Sequence, residues 1–214
     1  MRNCYRIKDR TFDARGMPWI QRFTEGVVHN DNCAACGKPD YFPLGDMRAS
    51  LMDGKGTQWP DLIGTGSLTG LFVTSGRFVE ALRSCGVRVE VGGRVQINPK
   101  VPKRLSLADA PEYYWVDGEK HLAAKMDYEA SGFVGTKYCA ACGGRSYDIK
   151  ATKDLKFVFD YDASSGLDLF TTDMNPRAFF CTERVLECAR EYLPTNVAIT
   201  RVEDGQWAKP IKFW

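Results

Sequence analysis

Histidine is almost absent from this chain, which has only His29 and His121 among 214 residues. A Ser-His-Asp or Cys-His catalytic arrangement therefore has little to be built from, and no nucleophile-elbow motif occurs. His121 lies in a charged run and is expected at the surface, while His29, four residues before Cys33, is a weak candidate for a metal ligand. The sequence predicts a protein that is not an enzyme.

Long apolar runs and an excess of one charge are also lacking. No apolar run approaches the ~18 residues that a transmembrane helix needs, and the first residues show no apolar segment typical of a secretion signal. Lys and Arg number 29 against 27 Asp and Glu, and no basic run exceeds two residues. We therefore expect a cytoplasmic protein that neither inserts into a membrane nor binds nucleic acid.

The composition is that of an ordinary globular protein, with 44% hydrophobic and 26% charged residues. A chain of this length buries roughly 70% of its unfolded surface, so a core forms without covalent cross-links. We predict a single compact domain over residues 1–214.

The cysteines carry the most specific signal in the sequence. Cys33–Gly37 reads CAACG, and the same five letters recur at Cys139–Gly143 as the second of two C-x-x-C motifs. Two thiolates on one tight turn supply half of a tetrahedral zinc site. Although zinc ribbons usually return within ~15–20 residues, the two turns together predict one structural Zn²⁺ bound by the following residues: Cys33, Cys36, Cys139 and Cys142.

Two other interpretations of these turns stay open. A redox C-x-x-C needs a helix continuing through its second cysteine, and Gly37 and Gly143 argue against such a helix. A pair of disulfides is disfavoured in a reducing cytoplasm. The cysteines near the expected helices, Cys85, Cys181 and Cys188, are predicted to pack in the core.

An internal repeat accompanies the paired turns. At an offset of 107, residues 59–83 match residues 166–190 at seven positions, among them Asp61, Phe72 and Arg77, where average usage gives roughly one or two. The cysteine turns repeat at an offset of 106. We predict an α+β fold of two halves, about 1–105 and 106–214, related by a pseudo-two-fold axis. Each half would contain a cysteine turn, a strand, a helix and a strand, and the zinc site would join them.

Local signals place the individual elements. Helices are expected at 76–84, capped by Ser75 and Gly86, and from Thr182 to Tyr192, where Val185, Leu186, Ala189 and Leu193 would form the apolar face. Strands are expected at 5–7, 71–73, 113–116 and 197–202, and a hairpin at 87–97 that turns at Gly92-Gly93. Residues 8–32 and 38–56 read as irregular loops.

The remaining candidates are weaker. The Gly64–Gly70 segment lacks the order and the lysine of a phosphate-binding loop and is predicted to be a connector. Asp160, Asp162, Asp168 and Asp173 have no magnesium-site spacing and are expected in turns. Aromatic residues in loops suit either a protein-binding surface or the edges of the core: Trp19, Tyr41, Phe42, Trp59, Trp115, Trp207 and Trp214.

The doubled CAACG turns, the Trp59-Pro60-Asp61 segment before a Gly-rich loop, and the helices with Arg77 and Arg184 resemble the double-CXXCG motif family. That family is found chiefly in myxobacteria, as the immunity partners of lipoprotein toxins in swarming-inhibition systems. The resemblance implies a non-enzymatic cytoplasmic protein that binds and neutralises a cognate toxin, one that we expect to be encoded next to it. It identifies no toxin-contact residue.

Two other functions compete with toxin neutralisation. A zinc-ribbon nucleic-acid-binding module is suggested by the C-x-x-C turns with Lys38 and Arg145 nearby, and it would bind with a steep salt dependence. A thiol oxidoreductase would use Cys33 and Cys36, or Cys139 and Cys142, and would keep its fold without them. A structural zinc predicts unfolding instead.

Overall fold

The computed structural model describes residues 3–9, 19–30, 33–36, 40–52, 58–65, 71–98, 103–141, 145–149, 156–173, 175–204 and 211. Fourteen strands and two α-helices occur in this part of the chain, a mixed α+β fold dominated by strands. In chain order they are β1 (Cys4–Asp9), β2 (Trp19–Asn30), β3 (Asp40–Met52), β4 (Leu62–Ile63), β5 (Val73–Ser75), α1 (Gly76–Ser84), β6 (Val91–Ile97), β7 (Tyr113–Val116), β8 (Leu122–Met126), β9 (Phe133–Tyr138), β10 (Arg145–Ile149), β11 (Phe159–Tyr161), β12 (Leu169–Thr172), β13 (Asn175–Thr182), α2 (Glu183–Tyr192) and β14 (Val197–Arg201).

The strands form two six-stranded sheets and a separate hairpin. The first sheet has the order β2-β3-β6-β7-β5-β4, the second β11-β8-β12-β13-β1-β14, and β9 pairs with β10 alone. The amide of Ile20 in β2 donates to the carbonyl of Gly64, which follows β4, at 2.8 Å. The first sheet therefore curls until its two edge strands meet.

Both helices pack between the sheets. The central core combines Phe78 and Leu82 of α1 with Val185 of α2, Leu62 of the first sheet and Ile7 of the second. Side chains on the other face of each sheet belong to two separate clusters, around Trp115 in the first sheet and around Phe180 in the second. Because successive strand residues face opposite ways, Phe179 lies in the central core while Phe180 lies in the outer one.

The helix predictions are confirmed. Helix α1 begins after Ser75, whose side chain accepts a hydrogen bond from the amide of Phe78, and Gly86 follows its end at φ 76°. Helix α2 begins after Thr182 and ends at Tyr192 as expected. The prediction for Leu193 was wrong: it leaves the apolar face of α2, adopts the left-handed conformation at φ 55°, and is 51% exposed.

The strand predictions hold with shifted bounds, since β1 extends the strand expected at 5–7 and β5 lies two residues after the one expected at 71–73, but two loop predictions failed. β7 matches the prediction and β14 ends one residue early, whereas β2 and β3 occupy segments that the sequence marked as loops. The hairpin predicted at Gly92-Gly93 is wrong as well, because β6 runs straight through both glycines and pairs with β3 and β7.

Gly92 and Gly93 do not form a turn. Their lack of a side chain lets neighbouring groups pack closely against the strand. A Cβ at Gly92 would overlap the indole ring of Trp115, and a Cβ at Gly93 would overlap the carbonyl of Gly45. The indole is fixed there, since its Nε1 donates to that same carbonyl at 2.8 Å.

We therefore expect Gly92→Ala to destabilise the protein by about 1–3 kcal/mol through overpacking against Trp115. Urea unfolding measures the change in the free energy of unfolding. In a double-mutant cycle with Trp115→Leu, the cost of Gly92→Ala should largely disappear, because the ring that it strikes is gone. An equal cost with and without the ring would contradict this explanation.

Similar contacts occur at positions 107 residues apart. Asp61 Oδ1 accepts from the Ser75 hydroxyl at 2.6 Å and from Arg77 Nε at 2.8 Å. Asp168 Oδ1 accepts from the Thr182 hydroxyl at 2.6 Å, and its Oδ2 accepts from Arg184 Nη1 at 3.0 Å. The strand registers also correspond, since β4 pairs Leu62 with Thr74 while β12 pairs Leu169 with Cys181. The rings of Phe72 and Phe179 meet with centroids 4.7 Å apart.

A disulfide joins the two helices. Cys85, at the C-cap of α1, is bonded to Cys188 of α2, with Cα atoms 6.0 Å apart. Cys188 lies in the central core and Cys85 packs against it, as expected, but the bond between them was not predicted. Cys181 is fully buried, also as expected. In this environment burial raises the pKa of the Cys181 thiol well above its ordinary value.

The surface prediction for His121 was also wrong, because its side chain is fully buried. Its Nδ1 donates to the carbonyl of Leu169 at 2.7 Å and its Nε2 accepts from the amide of Glu90 at 3.0 Å. The Nε2 contact needs the neutral ring, because an amide only donates and both ring nitrogens of a protonated histidine are donors. Burial lowers the pKa of His121, against smaller opposing effects from the Leu169 hydrogen bond and the Glu90 charge.

The lowered pKa of His121 predicts a loss of stability in mild acid. The unfolded chain takes up a proton near pH 6.5 while the folded chain does not, so the free energy of unfolding should fall as the pH drops below about 6.5, by up to ~1.4 kcal/mol per pH unit. Urea unfolding between pH 5 and 8 measures this slope. His121→Gln keeps a donor and an acceptor but cannot titrate, so its profile should be flatter; identical profiles would refute the prediction.

Candidate metal centre

The two cysteine turns lie at the tips of two β-hairpins. The first turn, Cys33–Cys36, connects β2 to β3, and the second begins at Cys139, directly after β9 and before β10. In the first turn the amide of Cys36 donates to the carbonyl of Cys33 at 3.2 Å. This tight turn places both of its sulfurs on the same side.

The hairpin tips meet although 106 residues separate them. Cys33 Sγ lies 3.8 Å from Cys139 Sγ, and Cys36 Sγ belongs to the same cluster, in which all ligand atoms lie within 4.8 Å of one another. Cys142 lies outside the described residues, as do Gly37, Gly143 and the side chain of His29. The structure thus brings together the three described members of the predicted set, and these three thiols could hold a metal ion.

The spacing fits a tetrahedral thiolate site. With Zn–S bonds of about 2.3 Å, the S···S edge of a regular tetrahedron is about 3.8 Å, the value found between Cys33 and Cys139. A disulfide would need about 2.05 Å. Thiolates so close together repel each other unless a cation lies between them, so the donor set favours a metal with a preference for sulfur, which is zinc or iron.

The described residues around the cysteine cluster are exposed to solvent, and most of them have small side chains. Cys33 and Cys139 are half-buried and Cys36 is exposed, while Ala34, Ala35, Ala140 and Ala141 are exposed at the two turns. Tyr138, next to Cys139, is 64% exposed. The described residues of the tips are thus exposed or half-buried, and a metal ion bound by the three thiols would add an attraction between the tips.

The expectation of a turn was wrong for Asp160, which lies within β11. The other three acidic candidates have structural roles. Asp162 caps a 3₁₀ turn through the amide of Ser164, Asp168 binds Thr182 and Arg184, and Asp173 accepts from the amide of Met126. In the described part of the chain, the cysteine cluster is the one group of three or more possible metal ligands.

Two of the seven aromatic candidates lie in the core. Trp59 and Trp115 are 6% and 8% exposed and belong to the core of the first sheet. The side chains of the other five, Trp19, Tyr41, Phe42, Trp207 and Trp214, lie outside the described residues. The disulfide and the buried histidine were missed, because single cysteines and histidines carry no periodic signal that locates a partner.

No helix in the described ranges has the length and apolar character needed to cross a membrane. No protein-family model matches the chain, and no curated protein matches it either. The cysteine cluster is therefore the feature of the molecule that points to a function.

Proposed function

We propose that this protein is an immunity protein: a non-enzymatic cytoplasmic binder that neutralises a cognate toxin and is stiffened by one structural Zn²⁺. The observation that carries the proposal is the 3.8 Å separation of Cys33 Sγ and Cys139 Sγ, with Cys36 in the same cluster. The resemblance of both CAACG turns to the double-CXXCG immunity family supplies the toxin as the partner.

A binder of this kind benefits from rigidity. Docking costs less when the surface is already ordered, because fewer side chains and loops lose freedom on binding. A metal ion that joins Cys33 and Cys36 to Cys139 would link the two hairpins into one unit, and we assign Cys142 as the fourth ligand. We therefore expect the metal to organise the surface without taking part in any reaction.

We further propose that the chain arose by duplication, with halves at about 1–105 and 106–214. The matching contacts of Asp61 and Asp168 and the meeting of Phe72 with Phe179 support this view. β1 pairs with β13 and β14 as β7 pairs with β5 and β6, so the N-terminal strand would complete the second half. A duplicated body accounts for the long separation of the cysteine turns.

Co-expression with the protein encoded next to it tests the function. Cells that die when the neighbouring protein is produced alone should survive when this chain is present. Cys33→Ser with Cys139→Ser should lose protection, whereas Ala34→Ser with Ala140→Ser, at exposed positions of the same turns, should keep it. Equal killing with and without the intact chain would refute the assignment.

A zinc-ribbon nucleic-acid-binding module remains the second candidate, since hairpin tips that share a metal are the arrangement of zinc ribbons. It predicts retention on DNA or RNA that falls steeply with salt. The near balance of 29 basic and 27 acidic residues disfavours it. Absence of retention in moderate salt would eliminate it.

A further inference from the structure

A cleft of about 500 Å³ opens on the side of the molecule where the C-terminal end of α2 meets the first sheet. Its wall includes Trp59 and Arg77 from the first half and Tyr192 and Leu193 from the second. Asp109, on a 3₁₀ helix at residues 107–109, completes the rim. None of these residues takes part in the metal cluster.

The floor of the cleft is the Asp61 carboxylate, whose two oxygens already accept hydrogen bonds. Asp61 is 3% exposed, and its Oδ1 accepts from Ser75 and Arg77 as described above. Its Oδ2 accepts from both the amide and the hydroxyl of Thr195, at 2.9 and 3.0 Å. Since its hydrogen-bonding capacity is used, Asp61 serves to position Arg77.

Arg77 is held so that one edge of its guanidinium stays open. Its Nε donates to Asp61 Oδ1 at 2.8 Å and its Nη2 donates to the carbonyl of Trp59 at 3.0 Å. These two bonds use the edge that Nε shares with Nη2. The end-on edge, formed by Nη1 and the second hydrogen of Nη2, has no hydrogen-bond partner among the described residues, and the side chain is 50% exposed. That edge has the geometry for bidentate recognition of a carboxylate.

The charges in the cleft indicate which second group a ligand carries beside the carboxylate that binds Arg77. Asp61 and Arg77 neutralise each other, while Asp109 is exposed and its side chain forms no ion pair with any described residue. A ligand with an acidic group alone would add to the negative charge. A ligand with an acid for Arg77 and a base for Asp109 would leave the net charge of the cleft unchanged, and a doubly charged phosphate fits least well.

The shape of the cleft favours a protein segment over a small metabolite. Metabolite sites enclose most of their ligand, whereas this cleft is open to solvent. Leu193 in its wall is 51% exposed, and Leu107, on the same 3₁₀ helix as Asp109, is 42% exposed. Tyr192 offers an aromatic wall, fixed by stacking on Phe78 with ring centroids 5.8 Å apart. Aromatic, arginine and apolar side chains around a pocket are typical of protein-binding hot spots.

We propose that this cleft docks an extended segment of the partner protein in which an acidic side chain lies beside a basic one. The acidic carboxylate binds the end-on edge of Arg77, and the basic group binds Asp109. The identity of that partner as a toxin rests on the proposed function, whereas the peptide chemistry does not.

Titration of the full, metal-loaded chain with short probes tests the cleft without any toxin. The probes are N-acetyl-Glu-Lys-amide, acetate and inorganic phosphate, and the readouts are the NMR signals of Arg77 Nε–H and the Trp59 indole N–H. The dipeptide should saturate both signals at roughly 1–10 mM, as expected for one ion pair with few other contacts. Acetate should bind more weakly, and phosphate should not bind more tightly than the dipeptide.

Matched variants separate recognition from folding. Arg77→Lys keeps the charge but loses the fork and should weaken dipeptide binding about tenfold. Arg184→Lys, at the equivalent ion pair with Asp168 outside the cleft, should leave binding unchanged. Asp109→Asn disturbs no described side-chain contact and should weaken the dipeptide without affecting acetate. The absence of a saturable shift up to about 50 mM probe, about 50-fold above the tighter expected dissociation constant, would overturn the proposal. Tighter binding of phosphate, or unchanged binding by the Arg77 and Asp109 variants, would overturn it as well.

Discussion

Replacing Cys33 and Cys139 together with serine should abolish stoichiometric metal binding and release the two hairpin tips from each other. The sulfurs of these residues are 3.8 Å apart, and the neighbouring alanines are too small and exposed to hold the tips without a metal. Structural zinc contributes about 10–16 kcal/mol of apparent binding free energy at neutral pH. If ~4 kcal/mol of this binding free energy stabilises the folded hairpin tips, loss of the metal would speed amide exchange in the tips about a thousandfold.

Elemental analysis measures the metal, and hydrogen exchange with mass spectrometry measures the order of β2–β3 and β9–β10. The matched control is Ala34→Ser with Ala140→Ser, which keeps every sulfur. We expect the exchange to rise at the tips and to change little in α1 and α2, because the three apolar cores lie in the body of the sheets and helices. Retained metal in the double serine variant would contradict the shared site, and visible absorption of the bound metal would identify iron in place of zinc.

Breaking the disulfide between Cys85 and Cys188 should have the second largest effect on stability. The bond closes a loop with a sequence separation of 103 residues, and the chain-entropy model assigns about 4.7 kcal/mol to a loop of about 100 residues, with 2–4 kcal/mol typical in practice. Urea unfolding of Cys85→Ser should show a loss in that range. Dithiothreitol should lower the stability of the parent protein but not that of the variant.

A buried cysteine outside the bond provides the control. Cys181→Ala should lose only packing energy and should stay sensitive to dithiothreitol, provided that the metal content is unchanged. If the parent protein contains free thiols at positions 85 and 188 under oxidising conditions, the cross-link is refuted. Since disulfides are rare in a reducing cytoplasm, the same measurement in cell extract shows whether the bond forms in the compartment proposed for the protein.

Local signals predicted the helices well, because the residues that begin and end them act within one turn. Ser75 caps α1 with its own side chain and Gly86 adopts φ 76° after its end. The strands β2 and β3 were missed for the opposite reason. Their register shifts repeatedly, and Gly26 and Gly45 have positive φ, so the alternation of polar and apolar residues that identifies a strand is interrupted.

Long-range partners were predicted only where a motif named them. The identical CAACG turns indicated the cluster of Cys33, Cys36 and Cys139, although 106 residues lie between the hairpin tips. Nothing in the sequence near Gly92 reveals Trp115, and nothing near His121 reveals Leu169, because these contacts depend on how distant strands meet. The open edge of Arg77 likewise follows from Asp61 and Trp59 lying on one side of it.

The position of β1 bears on how the protein matures during synthesis. β1 lies between β13 and β14 in the second sheet, so this strand leaves the ribosome long before the two strands that it pairs with. At about 5–20 residues per second, the delay is roughly 10–40 s. During that time the nascent chain carries an unpaired strand whose Tyr5 and Ile7 are destined for the core. The second sheet can therefore be completed only after β13 and β14 have been synthesised, and molecular chaperones have an opportunity to act in that interval.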